Sequence, residues 1–203
     1  MHGELSQILA SEPGPERDRL SAKLRITGKK VKRKESGDGD VIVRLSADRH
    51  FSLSPGVHNE LERAVVETLA PAILTSPTVV YLGDTAPRAG YQDRALMRRL
   101  NLPIDLTESL PDVVVYSVED NRLLVVEAVT STGPIDTTRL EQLRSFCQGP
   151  PRLGVNIQLM TAFPSRKNLR RFLEEIAWGT SVWIAEEPWN LIHFVALDRP
   201  TTP

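Results

Sequence analysis

Two carboxylates set inside apolar stretches pose the first chemical question of this chain. In LPDVVVYSVEDNRLLVVEAVTS, Leu110 to Ser131, Asp112 stands at the mouth of one apolar run and Glu127 lies deep in the next. Side chains alternate faces along a strand, which puts Glu127, Val129 and Ser131 on one side and Val126, Ala128 and Thr130 on the other. If the two runs pair as a hairpin, Asp112 and Glu127 come together near one end of the ladder. Two like charges buried without a partner cost several kcal/mol or force one group to keep its proton. A hard divalent cation is one remedy and an arginine from a neighbouring helix is another. The residues by themselves leave both open.

The elements that must hold this pair follow from periodicity. Ser54 or Pro55-Gly56 opens VHNELERAVVETLAPAIL, whose Val57, Leu61, Ala64, Val65, Thr68 and Leu69 recur at helical spacing until Pro71. TVVYLGD, PDVVVYSV and RLLVVEAV read as three strands, the last two joined by the short polar turn Glu119-Asp120-Asn121-Arg122. IDTTRLEQLRSFCQG reads as a helix with Asp136 or Thr137 as its cap and Gly149 as its stop. VNIQLMTAF is a further strand, SRKNLRRFLEEIAW a further helix, and TSVWIAEE and NLIHFVAL two closing strands. Such an order predicts an α/β fold, a mixed sheet covered by helices on both faces.

Before the first helix the text is different. LRITGKKVKRKESGDGDVIVRLSA alternates apolar and charged residues around a Gly/Asp-rich centre, a hairpin signal, and seven of the twelve residues Lys23 to Lys34 are basic. We therefore divide the chain into a basic extension, 1–54, with a β-hairpin, and a main domain, 55–203. Lys29, Lys30, Lys32 and Arg33 form either a solvated hairpin surface or an arm that follows a phosphate backbone. The same pair of readings applies to Arg166 and Lys167 in SRKNLRRF.

With 203 residues and a net charge of -1, the chain does not announce a nucleic-acid binder by its sum, although segregated charge still makes local patches. One cysteine, Cys147, excludes an internal disulfide and a Cys-rich zinc site. The start MHGELSQILASEPG has no basic residues followed by an apolar block, and no apolar run is long enough to cross a bilayer; a cytoplasmic location is expected. Trp178, Trp183 and Trp189 are assigned to core and sheet-edge packing, and His193 to a satisfied core position.

These stretches resemble the PD-(D/E)XK nuclease superfamily, whose signature is Pro-Asp, a spacer, and then Asp/Glu-x-Lys on the next strand. More narrowly, PGVHNEL, VVYLGDT, LPDVVVY, LLVVEAVTSTGPI, TAFP and IAWGTSVWIAEEPWNLIHF, from Pro55 to Phe194, are similar to the nuclease domain of the BsuBI/PstI type of restriction endonucleases. The resemblance implies an αβββαβ core and Mg²⁺-dependent cleavage of double-stranded DNA, with Mn²⁺ able to substitute, by a homodimer. It further implies a type II restriction system or a related defence system, with a methyltransferase or another subunit as partner. Carried over, Asp112 and Glu127 are metal ligands, the carbonyl of Ala128 is a third, and Glu60 is a helix carboxylate near the metal.

One element departs from the signature: the usual lysine position is Val129. Ser131, one step further on the same face, is the expected group to hydrogen-bond the attacking water. Arg139, just after GPI, either supplies positive charge to the DNA phosphate or forms a structural ion pair. The departure at Val129 also keeps a second class in view, a nuclease-like module that binds DNA or protein without cutting.

Overall fold

The computed structural model describes residues 39–85, 90–104, 110–147 and 154–197. The expected first half of the N-terminal hairpin, with Lys29, Lys30, Lys32 and Arg33, lies outside the described residues. Its second half, VIVR, is strand β1 (Val41–Arg44) and pairs antiparallel with β2 (His50–Leu53). Val41, Val43 and Leu53 turn inward and join the same core cluster as the first helix.

That helix starts as α1 (Val57–Ala64), widens into a π-helical segment (Val65–Leu69) and ends as α2 (Ala70–Ile73). Pro71 therefore does not stop it. A proline lacks the N–H that would bond four residues back, and the wider turn just ahead of it is one way a helix absorbs that loss. Leu61, Val65 and Leu69 recur along the buried side and anchor the helix on the sheet.

The main sheet has seven strands in the order β4-β3-β5-β6-β7-β8-β9. In chain order they are β3 (Thr78–Leu82), β4 (Tyr91–Gln92), β5 (Val113–Ser117), β6 (Arg122–Ala128), β7 (Asn156–Phe163), β8 (Thr180–Ile184) and β9 (Leu191–Phe194). β6, β7 and β8 run parallel and the remaining neighbours are antiparallel. The expected hairpin of β5 and β6 is present, with Val113 opposite Val126. Every residue of β5 is buried, as befits a strand covered on both faces.

Helices α3 (Arg94–Arg99), α4 (Thr137–Cys147) and α5 (Arg166–Phe172) complete the layers. β4 and α3 are additions to the expected order; Asp93 starts α3 by accepting from the Leu96 N–H at 2.9 Å. One core lies between the sheet and α1 with the β1–β2 hairpin, a second between the sheet and α3 with α4, and a third under α5. The α/β architecture with helices flanking a mixed sheet is as expected. No helix among the described residues is long and apolar enough to cross a membrane.

Of the tryptophans, Trp183 is core, its indole N–H donating to the Pro188 carbonyl at 3.0 Å, whereas Trp178 and Trp189 are exposed. His193 is also exposed rather than core, and its Nδ1 shares a 2.8 Å hydrogen bond with Ser181 Oγ.

Candidate active site

Local backbone chemistry holds Asp112 in place. Pro111 carries no N–H to satisfy, and the next residue is gripped on both sides: its carbonyl accepts from Gly83 N–H at 2.8 Å and its Oδ2 from Ala128 N–H at 2.7 Å. β3 reaches this point through a bulge between Val79 and Tyr81, which re-aims its end towards Asp112. A Cβ at Gly83 would be crowded, standing 3.3 Å from Glu62 Oε1 and 3.4 Å from the Asp112 carbonyl.

With Oδ2 committed, Asp112 turns Oδ1 to the helix side. His58 Nε2 stands 3.5 Å from it and 3.3 Å from Glu62 Oε1, the two helix residues being one turn apart on α1. One ligand atom from each of His58, Glu62 and Asp112 falls within 4.8 Å of the others. Glu62 is only 1% exposed and its Oε2 has no hydrogen-bond partner. The hydrogen bonds of Asp112 and then of Glu62 push the His58 imidazole up to about 10. Burial pushes the Glu62 carboxyl up to about 7, and the Asp112 charge adds to it. Tyr81 is raised as well, by burial and then by Glu62 and Asp112.

Asp84 steadies the helix entry. It accepts from the Ser54 N–H and hydroxyl, both at 3.1 Å, and from Asn59 Nδ2 at 3.0 Å, which ties β2, α1 and the end of β3 together. The Gly-Asp pair after β3 thus builds a hydrogen-bond network.

Glu127 approaches Asp112 from the other face of the sheet. Its Oε1 accepts from Arg139 Nη2 at 2.7 Å and Nε at 3.1 Å, and the same Nη2 donates to the Leu110 carbonyl at 2.9 Å. Burial and the Asp112 charge push Glu127 up to about 7 against the pull of Arg139. Arg139 is carried by α4, whose start is fixed when Asp136 Oδ1 accepts its N–H at 2.7 Å. The preceding GPI loop is fixed by the Ile135 N–H donating to the buried Thr161 Oγ1 at 3.1 Å. Of the two remedies weighed for the acidic pair, the arginine is present and holds Glu127, while Asp112 faces a second acid and a histidine.

The remaining expected residues divide by position. Glu60 pairs with Arg63 on the outer side of α1, and the helix carboxylate that meets Asp112 is Glu62. The signal for Glu62 was present: it lies one turn from His58 and flanks the buried Leu61, Val65 and Val66. Val129 is 2% exposed and packs with Phe163, Leu169 and Ile176 under α5. Ser131 is exposed beyond the end of β6. Arg166 is held by Glu187 at 2.6 Å and Lys167 is exposed; both lie on α5, which begins just past the end of β7 that pairs with Glu127 and Ala128. An open depression of about 610 Å³ lined by Arg122, Arg144 and Asn156 lies at the opposite ends of the strands and includes no carboxylate.

The donor chemistry fits a divalent cation. Two carboxylates and an imidazole converge, and the orphaned Glu62 oxygen is the kind of buried polar atom that an ion would satisfy.

Comparison with known proteins adds an independent line. Residues 41–196 match the family model described as the BsuBI/PstI restriction endonuclease domain. The chain is 38% identical over 161 residues, 79% of its length and 50% of the relative, to "Type II restriction enzyme BsuBI" of Bacillus subtilis. It is 30% identical over 159 residues, 75% of its length and 48% of the relative, to "Type II restriction enzyme AplI" of Arthrospira platensis. The chain thus spans about half the length of these curated relatives. The solved structure of SdaI restriction endonuclease superposes with a TM-score of 0.72 at 27% identity, covering 91% of this chain and 56% of that one.

Proposed function

The chain belongs to the BsuBI/PstI restriction endonuclease family, and from that membership we propose that it hydrolyses phosphodiester bonds of double-stranded DNA with the help of a divalent metal ion. Mg²⁺ is the ion the resemblance implies, with Mn²⁺ able to replace it. The single observation that carries this reading is the meeting of His58, Glu62 and Asp112 at the sheet end that also bears Glu127.

In the proposed reaction, water attacks the phosphorus in line and the ester oxygen leaves. A bound divalent ion supplies a lowered pKa for water beside it and neutralises the charge that builds on the phosphate oxygens. Asp112 and Glu62 would hold it, with His58 alongside; Glu127 and the Ala128 carbonyl flank them. The Ala128 N–H keeps one oxygen of Asp112 out of play, so that the other is aimed at the site. Arg139 holds the Glu127 carboxylate still and brings a guanidinium to the same sheet end. Ser131, exposed just past β6, would hydrogen-bond the attacking water. Glu60, paired outward with Arg63, has no part in the proposed set.

DNA would be gripped by Lys29, Lys30, Lys32 and Arg33 of the basic extension and by Arg166 and Lys167 of α5. Since Val41, Val43 and Leu53 pack with α1, we place the boundary between that extension and the nuclease unit ahead of β1. The proposal includes a homodimer, a cytoplasmic setting and a partner methyltransferase or defence-system subunit. The test is incubation of the protein with varied double-stranded DNA in Mg²⁺ or Mn²⁺. Discrete fragments are expected, and cutting that persists in Asp112→Ala would refute the site.

Two observations favour a second reading, DNA retention without cutting: Glu127 is held by Arg139, and apolar packing fills the place of the superfamily lysine. Retention of DNA with no cleavage in either metal would select it.

A further inference from the structure

Resting on the proposed function, we infer that His58 Nε2 is itself a metal ligand, and that the His58–Glu62–Asp112 site takes a first-row transition ion in preference to Mg²⁺. Mg²⁺ selects oxygen donors and keeps most of its water, whereas an imidazole nitrogen favours the transition ions, with affinity rising from Mn²⁺ to Co²⁺. The geometry brings the ring to the same point as the two acids. His58 Nε2 lies 3.3 Å from Glu62 Oε1 and 3.5 Å from Asp112 Oδ1, so an ion held between these two oxygens lies within reach of the ring.

Two observations independent of the cluster's charge support a built site. Glu62 is 1% exposed and its Oε2 is unpartnered, a buried polar atom that costs free energy unless a further group satisfies it. Gly83 lies against the same group, where an added Cβ would crowd Glu62 Oε1 at 3.3 Å. The end of β3 and the flank of α1 are therefore brought together at the carboxylate whose other oxygen, Oε2, is unpartnered.

The experiment uses the whole chain and metal alone, without DNA. Free Mn²⁺ is followed by its electron paramagnetic resonance signal during titration, with Mg²⁺ and Co²⁺ as competitors, and bound Mn²⁺ is examined by electron spin-echo modulation for a coupled nitrogen. The expected result is Mn²⁺ bound at least about tenfold more tightly than Mg²⁺, Co²⁺ tighter still, and a nitrogen modulation that disappears in His58→Ala. In that variant the preference for Mn²⁺ over Mg²⁺ should collapse by about tenfold, while Glu62→Gln weakens both ions. The chain has 4 histidines, and only His58 faces this cluster among the described residues, so the loss assigns the ligand.

A wild-type spectrum without nitrogen coupling, or an unchanged preference in His58→Ala, overturns the inference. Should His58→Ala fail to fold, His58→Gln and the wild-type spectrum decide it. The outcome is separate from cleavage. Nitrogen coupling in a protein that never cuts DNA would keep the metal site and remove the nuclease reading, and cutting without nitrogen coupling would do the reverse.

Discussion

At the scale of single residues, the site stores charge that the fold does not neutralise by itself. Burial raises Glu62 from 4.5 to about 7, and His58 rises from 6.5 to about 10 through its bonds to Asp112 and Glu62. A raised folded-state pKa gives stability that is complete below the unfolded value and is lost as pH climbs through the folded one. For Glu62 the loss runs from about pH 4.5 to beyond 7, for His58 from about 6.5 to 10, and Glu127 acts in the direction of Glu62. The metal-free protein in a chelator should therefore lose urea stability between pH 5 and 8, by up to about 3 kcal/mol from Glu62 alone. Glu62→Gln should flatten that slope, and equal slopes in the two proteins would count against the assignment. Gly83→Ala tests the close approach: the added methyl should weaken Mn²⁺ binding by roughly tenfold with the fold retained.

At the scale of elements, each functional side chain depends on a neighbour that terminates or starts a strand or helix. β6 carries Glu127 and then passes Val129 under α5, where Phe163, Leu169 and Ile176 fill the space around it. Restoring the superfamily lysine by Val129→Lys should therefore not raise activity. It should bury an unpaired ammonium and lower stability by roughly 3 kcal/mol or more, readable as a fall in the denaturation midpoint. α3 hangs on one cap, and Asp93→Ala should cost about 1 kcal/mol without touching metal binding. At this scale the sequence was informative where apolar runs were long. β5, β6, β7 and the first helix were legible because a covered sheet needs near-continuous apolar strands. β4 and α3 were not, since Tyr91–Gln92 is too short for any periodicity and α3 is barely two turns. Pro71 was misleading for a physical reason: the π-helical segment ahead of it, which no pattern of apolar residues signals, lets the helix run on to Ile73.

At the scale of the whole molecule, the proposed DNA contacts come from separate parts of the chain, and their common property is charge. If Lys29, Lys30, Lys32 and Arg33 contact phosphates, replacing all four by glutamine should lower the dependence of log K on log salt by up to about 3.6 units of slope, measured by filter binding. An unchanged slope removes the arm from the DNA interface. Which chemistry the molecule carries was largely a matter of sequence: PD, the long spacer and EAVTSTGPI stand close enough in the chain that strand alternation and one hairpin bring Asp112 to the strand bearing Glu127. Who neutralises whom was decided only by tertiary structure. Asp112 lies more than 50 positions from His58, and no local rule states that a bulge in β3, a glycine at its end and the rotation of α1 will present Glu62 and His58 to it while turning Glu60 out to Arg63. Likewise, the choice of Arg139 for Glu127 depends on α4 crossing the opposite face of the sheet. Backbone periodicity is written locally, whereas charge compensation at a buried site is settled by whichever side chains the packed layers bring within a few ångströms.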